Sequence, residues 1–328
     1  MTSNIQPDRA TLLEIFRKMA LIRRNDERFR ALLRSGQTAH AYYSPRGQEA
    51  ISAAMAVNLK ATDYVVTIYR GVHDHIAKGV PLKELWAEFV GKATGTCKGK
   101  GGPMHITHPA TGVMVTTGIV GAGLPIANGL GWASQLRKDG RVTVTNFGDG
   151  ASNIGAFHEA LNLASLWKLP VIFLCQNNLF GEHTRFEVAT AVKNVADRAA
   201  AYSMPGVTVD GNDPIAMWAA AREAVERARD GGGPTLLEAR TFRFEGHTFG
   251  DNDGYMRKGE KEEALKREPL PLFRKWLIDN LHATEADLAA MEAEMDKQIE
   301  EAVQFALSSP WPDASELRRD VYAQEMPA

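Results

Sequence analysis

Cysteine is almost missing from this chain. The two that occur, Cys97 and Cys175, stand at neither metal-ligand nor redox spacing, which excludes a thiolate metal centre and a dithiol redox site. Cys175 lies inside an apolar run and reads as a small core residue, whereas Cys97 receives no role. Net charge is also scarce, at −2, so nothing points to nucleic acid or an anionic membrane surface. No apolar stretch approaches the roughly 20 residues of a membrane helix. The opening residues, MTSNIQPDRATLLEIF, lack the apolar core of a signal peptide and the arginine–serine bias of a transit peptide. A reduced cytoplasm is the expected setting. No solenoid-type repeat is present. What remains is ample: 44% of the residues are hydrophobic, enough for one large α/β domain or two small ones.

The informative stretch runs from Arg141 to Thr184. Its β-branched run Val142-Thr143-Val144-Thr145, continued by Asn146-Phe147, predicts a strand that Gly148-Asp149-Gly150 interrupts. A helical pattern starting near Ser152-Asn153 follows, with Phe157, Leu161, Ala164 and Ser165 on one face. Pro170 ends it, and Val171-Ile172-Phe173-Leu174-Cys175 predicts a buried parallel strand. Each strand closes on a polar group, Asp149 at the first and Asn177-Asn178 at the second. Open α/β sheets bind ligands at that edge. A carboxylate and a side-chain amide are hard oxygen donors, and Mg²⁺ prefers few protein ligands completed by phosphate oxygens. Gly148 and Gly150 let the backbone approach an anion, and the helix start turns its free amides the same way. The predicted chemistry is a diphosphate held through a divalent ion.

Three further stretches belong to the same argument. Asp63 to Ile68 predicts a short strand ending at Tyr69-Arg70, where a planar guanidinium and a phenol suit phosphate oxygens. Lys98-Gly99-Lys100-Gly101-Gly102-Pro103-Met104-His105 is a glycine loop without the Walker spacing; it reads as active-site wall, with His105 structural. Thr117 to Ala127 contains Gly121-x-Gly123, which invites comparison with a dinucleotide fingerprint. That fingerprint needs an apolar strand before it and an acidic residue about 20 positions on. Here Gly112 to Thr117 is weakly apolar, and Asp139 falls in a charged turn. A nicotinamide-dependent oxidoreductase remains as a remote alternative.

Gly148-Asp149-Gly150, then 26 residues, then Asn177-Asn178 resembles the thiamine-diphosphate signature. Its surroundings resemble the alpha subunit of the first component of 2-oxo acid dehydrogenases, of the pyruvate and acetoin type. The likeness extends from about Phe16 to Ser309 with several motifs in the family's order. It implies a doubly wound, mostly parallel sheet of the diphosphate-binding type. It also implies the cofactors thiamine diphosphate and Mg²⁺, with Asp149 and Asn178 as side-chain ligands and Phe180, where tyrosine is usual, as a main-chain ligand. Tyr69, Arg70 and Arg243 would hold the diphosphate, Gly118 and Val120 would meet the aminopyrimidine through their backbone, and Gly150 and Ala151 would join the cofactor-binding set. His247 would lie beside the cofactor as the catalytic residue. One departure stands out: the pyruvate and acetoin members usually carry histidine two residues past the arginine, whereas this chain has Val72 followed by His73, Asp74 and His75. Thr248 replaces the serine phosphorylated in regulated members, so that regulation is not carried over.

The remaining segments extend the alternation of strands and helices that marks one doubly wound sheet. Gly206 to Asp210 predicts a strand, Pro214 to Arg229 an alanine-rich helix and Thr235 to Ala239 a buried strand. Phe242 to Lys261 predicts a mobile loop. The expected organisation is one diphosphate-binding domain over residues 1–328, with helical extensions over about 1–60 and 265–328. The charged faces of both terminal helices are expected to face solvent or a partner. No second sheet with a placed glutamate is apparent, although the family's cofactor needs one at its aminopyrimidine. The resemblance therefore implies a beta subunit in a heterotetramer, and a lipoyl-bearing acyltransferase as acceptor. A non-oxidative thiamine-diphosphate lyase or synthase subunit is the alternative that uses the same site.

Overall fold

The computed structural model describes residues 6–322. Six parallel strands form the central sheet: β1 (Tyr64–Ile68), β2 (Val113–Thr117), β3 (Thr143–Gly148), β4 (Val171–Asn177), β7 (Gly206–Asp210) and β8 (Thr235–Arg240), in the spatial order β2-β1-β3-β4-β8-β7. Between β4 and β7 the chain makes a small antiparallel hairpin, β5 (Phe180–Gly181) and β6 (Thr184–Arg185). β4 is buried along its whole length, as an inner strand covered on both faces should be. The edge strand β7 alternates between exposed and half-buried residues. This is the expected doubly wound α/β sheet.

Strand order fixes where a ligand can bind. The chain leaves β1 toward β2, then returns across β1 to lay β3 on its other side. The crossover direction reverses between β1 and β3, which opens a crevice at their carboxyl ends. Register brings the tips together: Gly148 lies opposite Gln176 and Asn177 opposite Arg240, so the residues that follow emerge side by side.

The helix Gly123–Arg137 enters the sheet layer closely. A Cβ at Gly123 would stand 3.1 Å from Val66 Cγ1 and 3.3 Å from Thr145 Oγ1, which accounts for glycine there and agrees with the expected close packing. Pro125 sits in the first turn of this helix, where no amide partner is lost. Two boundaries differ from expectation. The segment before the glycines is strand β2 after all, because pairing with β1 outweighs its weak apolarity. The helix after Asp149 begins only at Gly155; Asp149–Asn153 is a 3-10 turn that swings the chain off the sheet edge.

The charged faces of the terminal helices are the larger correction. The helix Arg9–Arg34 packs against the helix Glu285–Ser308, with Arg24 bonded to Glu292 and Asp296 and Arg28 to Glu300. Arg23 is buried between Glu49 and Glu268. These charges therefore meet each other within the chain. Charge alternation along one helix cannot reveal a complementary ladder 270 residues away, which is why the sequence suggests solvent. Lys98 and Lys100 of the glycine loop likewise pair with Glu316 and Asp320 and point away from the crevice. The loop's shape comes from Glu88, whose carboxylate accepts the amides of Cys97, Gly99, Gly101 and Gly102. Among the described residues no helix is long and apolar enough to cross a membrane.

Candidate active site

The crevice is a cleft of about 550 Å³, and every residue singled out as a ligand contact lines it: Tyr69, Arg70, Gly118, Val120, Asp149, Gly150, Ala151, Asn178, Phe180, Arg243 and His247. They arrive from five strand ends. β1 delivers Tyr69-Arg70, β2 delivers Gly118, β3 delivers Asp149, β4 delivers Asn178, and β8 leads into Arg243 and His247.

Asp149 is buried, and its Oδ1 has no hydrogen-bond partner among the described residues. Burial pushes its carboxyl up to about 6, against the opposing influence of Arg243. Asn178 donates through Nδ2 to Gln48 Oε1 at 2.7 Å and accepts the Phe180 amide on Oδ1 at 3.3 Å. The Phe180 carbonyl is touched only marginally, by Arg243 Nη1 at 3.5 Å. Gly150 passes close to the hairpin; a Cβ there would lie 3.2 Å from Gly181 Cα. Among the described residues, no three His, Cys, Asp or Glu side chains converge as a self-sufficient metal site. One carboxylate, one amide oxygen and one carbonyl form an incomplete ligand set for Mg²⁺, one that phosphate oxygens would complete.

Two guanidinium groups face this set. Arg70 is buried and donates to the carbonyls of Ser44 (2.9 Å) and His247 (3.0 Å). Arg243 is buried, donates to the Glu182 carbonyl (2.6 Å) and the Tyr255 hydroxyl (2.7 Å), and leaves Nε without a partner. Neither forms an ion pair with a carboxylate among the described residues. Burial and the neighbouring Arg243 pull Arg70 down to about 10. Two buried cations lacking a carboxylate are costly unless an anion joins them. His247 Nδ1 lies 3.4 Å from Arg70 and 3.5 Å from Arg243. Burial and those two cations push it down to about 4, so its imidazole is neutral at pH 7.

His73 proves to be a floor residue. It is fully buried, with Nε2 2.6 Å from Gln176 Oε1, and does not reach the cleft. Gln176 also bonds Asn146 and Asp74, and Gln48 joins Gln176 to Asn178. Gln48 and Gln176 both line the cleft, as does Tyr43; sequence reasoning missed all three. A polar Gln176 closing an otherwise apolar strand was the signal available for one of them. The glycine loop reaches the cleft through Met104, and the exposed His105 flanks it: a Cβ at Gly118 would stand 3.4 Å from His105 Cε1. The first part of the loop after β8 is anchored: Phe242 and Phe244 pack with Phe180 in a small apolar cluster, and Thr248 Oγ1 donates to the Tyr42 carbonyl at 3.2 Å.

Residues 17–315 match the dehydrogenase E1 component family. The chain belongs to that family. Among its E1 relatives, the alpha subunit of acetoin:2,6-dichlorophenolindophenol oxidoreductase from Bacillus subtilis is 44% identical, over 94% of this chain and 93% of that protein. A chloroplastic pyruvate dehydrogenase E1 component subunit alpha-3 from rice is 38% identical over 96% of this chain and 76% of that protein. The pyruvate dehydrogenase E1 subunit alpha of Rickettsia conorii is 35% identical over 97% of each. Membership makes this chain an alpha-type subunit of a thiamine-diphosphate-dependent dehydrogenase.

Proposed function

We propose that this chain is the alpha subunit of an alpha–beta heterotetramer that decarboxylates a 2-oxo acid such as pyruvate, or cleaves acetoin, and hands the acyl group to a lipoyl acceptor. Asp149 and Asn178 hold Mg²⁺ by side-chain oxygens and Phe180 by its carbonyl. Tyr69, Arg70 and Arg243 hold the diphosphate, with Gly150 and Ala151 giving it close backbone. Gly118 and Val120 offer backbone groups to the aminopyrimidine. When bound, the thiazolium ring supplies the nucleophilic carbon and the electron sink. The chain's own residues orient that ring, exclude water from the diphosphate and place His247 beside the reacting centre as a neutral hydrogen-bonding group. The observation that carries this reading is charge: among the described residues, two buried guanidiniums without a carboxylate stand opposite a buried carboxylate oxygen without a partner.

A beta subunit completes the pocket. Beside Gly118, Ile119 and Val120 are 72% and 51% exposed, an apolar edge where the aminopyrimidine needs a wall and an activating glutamate. Mixing tests this. The purified chain alone is expected to show negligible turnover with pyruvate or acetoin and 2,6-dichlorophenolindophenol, and co-expression with its beta subunit should restore it. Full turnover by the lone chain would contradict the proposal.

A further inference from the structure

Asn178 has two ends, and only one of them can bind a cation. A side-chain amide carries an acceptor oxygen and a donor nitrogen on nearly the same outline. Its last torsion is broad and close to two-fold. Left to itself, Asn178 would turn an NH₂ group toward a metal about as readily as an oxygen. A line of buried side chains beneath it removes that freedom.

The line begins at the floor. Asp74, on the helix Val72–Lys78, is buried and accepts the hydroxyl hydrogens of Ser52 and Thr67. A carboxylate only accepts, so Gln176 turns its Nε2 that way, 3.3 Å from Asp74 Oδ1 and 3.1 Å from Asn146 Oδ1. Gln176 Oε1 then faces the opposite side. There it accepts Gln48 Nε2 at 3.0 Å and meets His73 Nε2 at 2.6 Å, the two nitrogens converging to 3.4 Å. Gln48 stands at the start of the helix Glu49–Ala56, yet its side chain makes no capping bond and serves this network instead. With its nitrogen committed to Gln176, it presents Oε1 to Asn178, whose Nδ2 donates at 2.7 Å. The far end agrees. Asn178 Oδ1 accepts the backbone amide of Phe180, a group that only donates, at 3.3 Å. Both ends thus impose one polarity, and Oδ1 keeps a second lone pair for a cation. Gln48, Gln176 and Asn178 are all buried, and all three line the cleft.

We infer that Gln48 is a positioning residue for the metal ligand Asn178: it selects the oxygen end of that amide, in a polarity that Asp74 and Gln176 transmit from the floor. The inference rests on the thiamine-diphosphate reading above. A ligand held by such an outer contact is already oriented before the ion arrives, and loss of the contact typically costs roughly 10- to 100-fold in metal affinity.

The test uses the co-expressed two-subunit enzyme with thiamine diphosphate in excess, and reads Mn²⁺ binding from the electron paramagnetic resonance of the free ion. Gln48→Met keeps the side-chain length and removes both amide contacts. It should weaken Mn²⁺ binding roughly 10- to 100-fold. Asn178→Asp supplies the control, because a carboxylate has oxygen at both ends and needs no such selection. In that background Gln48→Met should change Mn²⁺ affinity by no more than about threefold. A Gln48 that merely packs would lower affinity equally in both backgrounds. Unchanged Mn²⁺ affinity in Gln48→Met, or an equal loss with and without Asn178→Asp, would overturn the inference. Should Gln48→Met not fold, Gln176→Met, which withdraws the anchor of Gln48, is read in its place, with the same loss and the same rescue expected. A wild-type enzyme that bound neither thiamine diphosphate nor Mn²⁺ would instead defeat the cofactor reading, so the two failures are distinguishable.

Discussion

At the residue scale, burial decides what each charged group can do. Asp149 is the clearest instance, because burial raises its carboxyl from the ordinary range to about 6. A carboxyl whose folded value lies above its unfolded one supports the fold while protonated. That contribution is complete below about pH 4 and is lost as pH rises through about 6. At neutral pH the metal-free protein therefore carries a buried charge at a cost on the order of 3 kcal/mol. Asp149→Asn is expected to raise the melting temperature of the metal-free protein at pH 8 and to raise it much less at pH 4.5, while abolishing Mg²⁺-dependent cofactor binding. Scanning calorimetry at both pH values checks the sign; a destabilised variant at pH 8 would contradict it. His247 shows the reverse displacement, with its imidazole pushed down to about 4. His247→Ala should lower kcat by roughly 10²-fold or more, yet no kinetic inflection between pH 5 and 8 should disappear with it. Loss of such an inflection would show that His247 carries a proton after all.

Among the elements, what the sequence reveals depends on how local the cause is. The helix Pro214–Arg229 and the strands flanking Asp149 follow from periodicity and punctuation, and each lies within two residues of expectation. β2 does not, because a strand of modest apolarity is stabilised by the neighbour it pairs with. The arginines of the first helix are similarly opaque, since their partners lie at the far end of the chain. Their energetics should differ by burial. Arg23→Ala leaves Glu49 buried and short of its partner, and urea unfolding should show a loss of about 3–5 kcal/mol. Arg28→Ala removes a partly exposed pair and should cost below about 1 kcal/mol. Equal effects would mean that burial does not set the worth of these pairs.

On the scale of the whole molecule, the strand order turns eleven scattered residues into one cleft. The candidate site was legible because its chemistry sits at strand ends, where spacing along the chain translates into proximity across the sheet. The seat of Gln48 between Gln176 and Asn178 was not, since it joins segments from different parts of the chain and leaves no local pattern. His73 shows the same limit from the other side: its place three residues past Arg70 could not tell floor from wall, and only the hydrogen bond to Gln176 settles it. The central claim is that Asp149 and Asn178 hold a metal-bridged diphosphate facing Arg70 and Arg243. Calorimetric titration of thiamine diphosphate into the co-expressed two-subunit enzyme tests it most directly, with and without Mg²⁺, for wild type, Asp149→Ala and Asn178→Ala. Binding should be tight and strictly Mg²⁺-dependent in the wild type and weakened at least 100-fold in both variants; equal affinity in all three, or binding indifferent to Mg²⁺, would contradict the account.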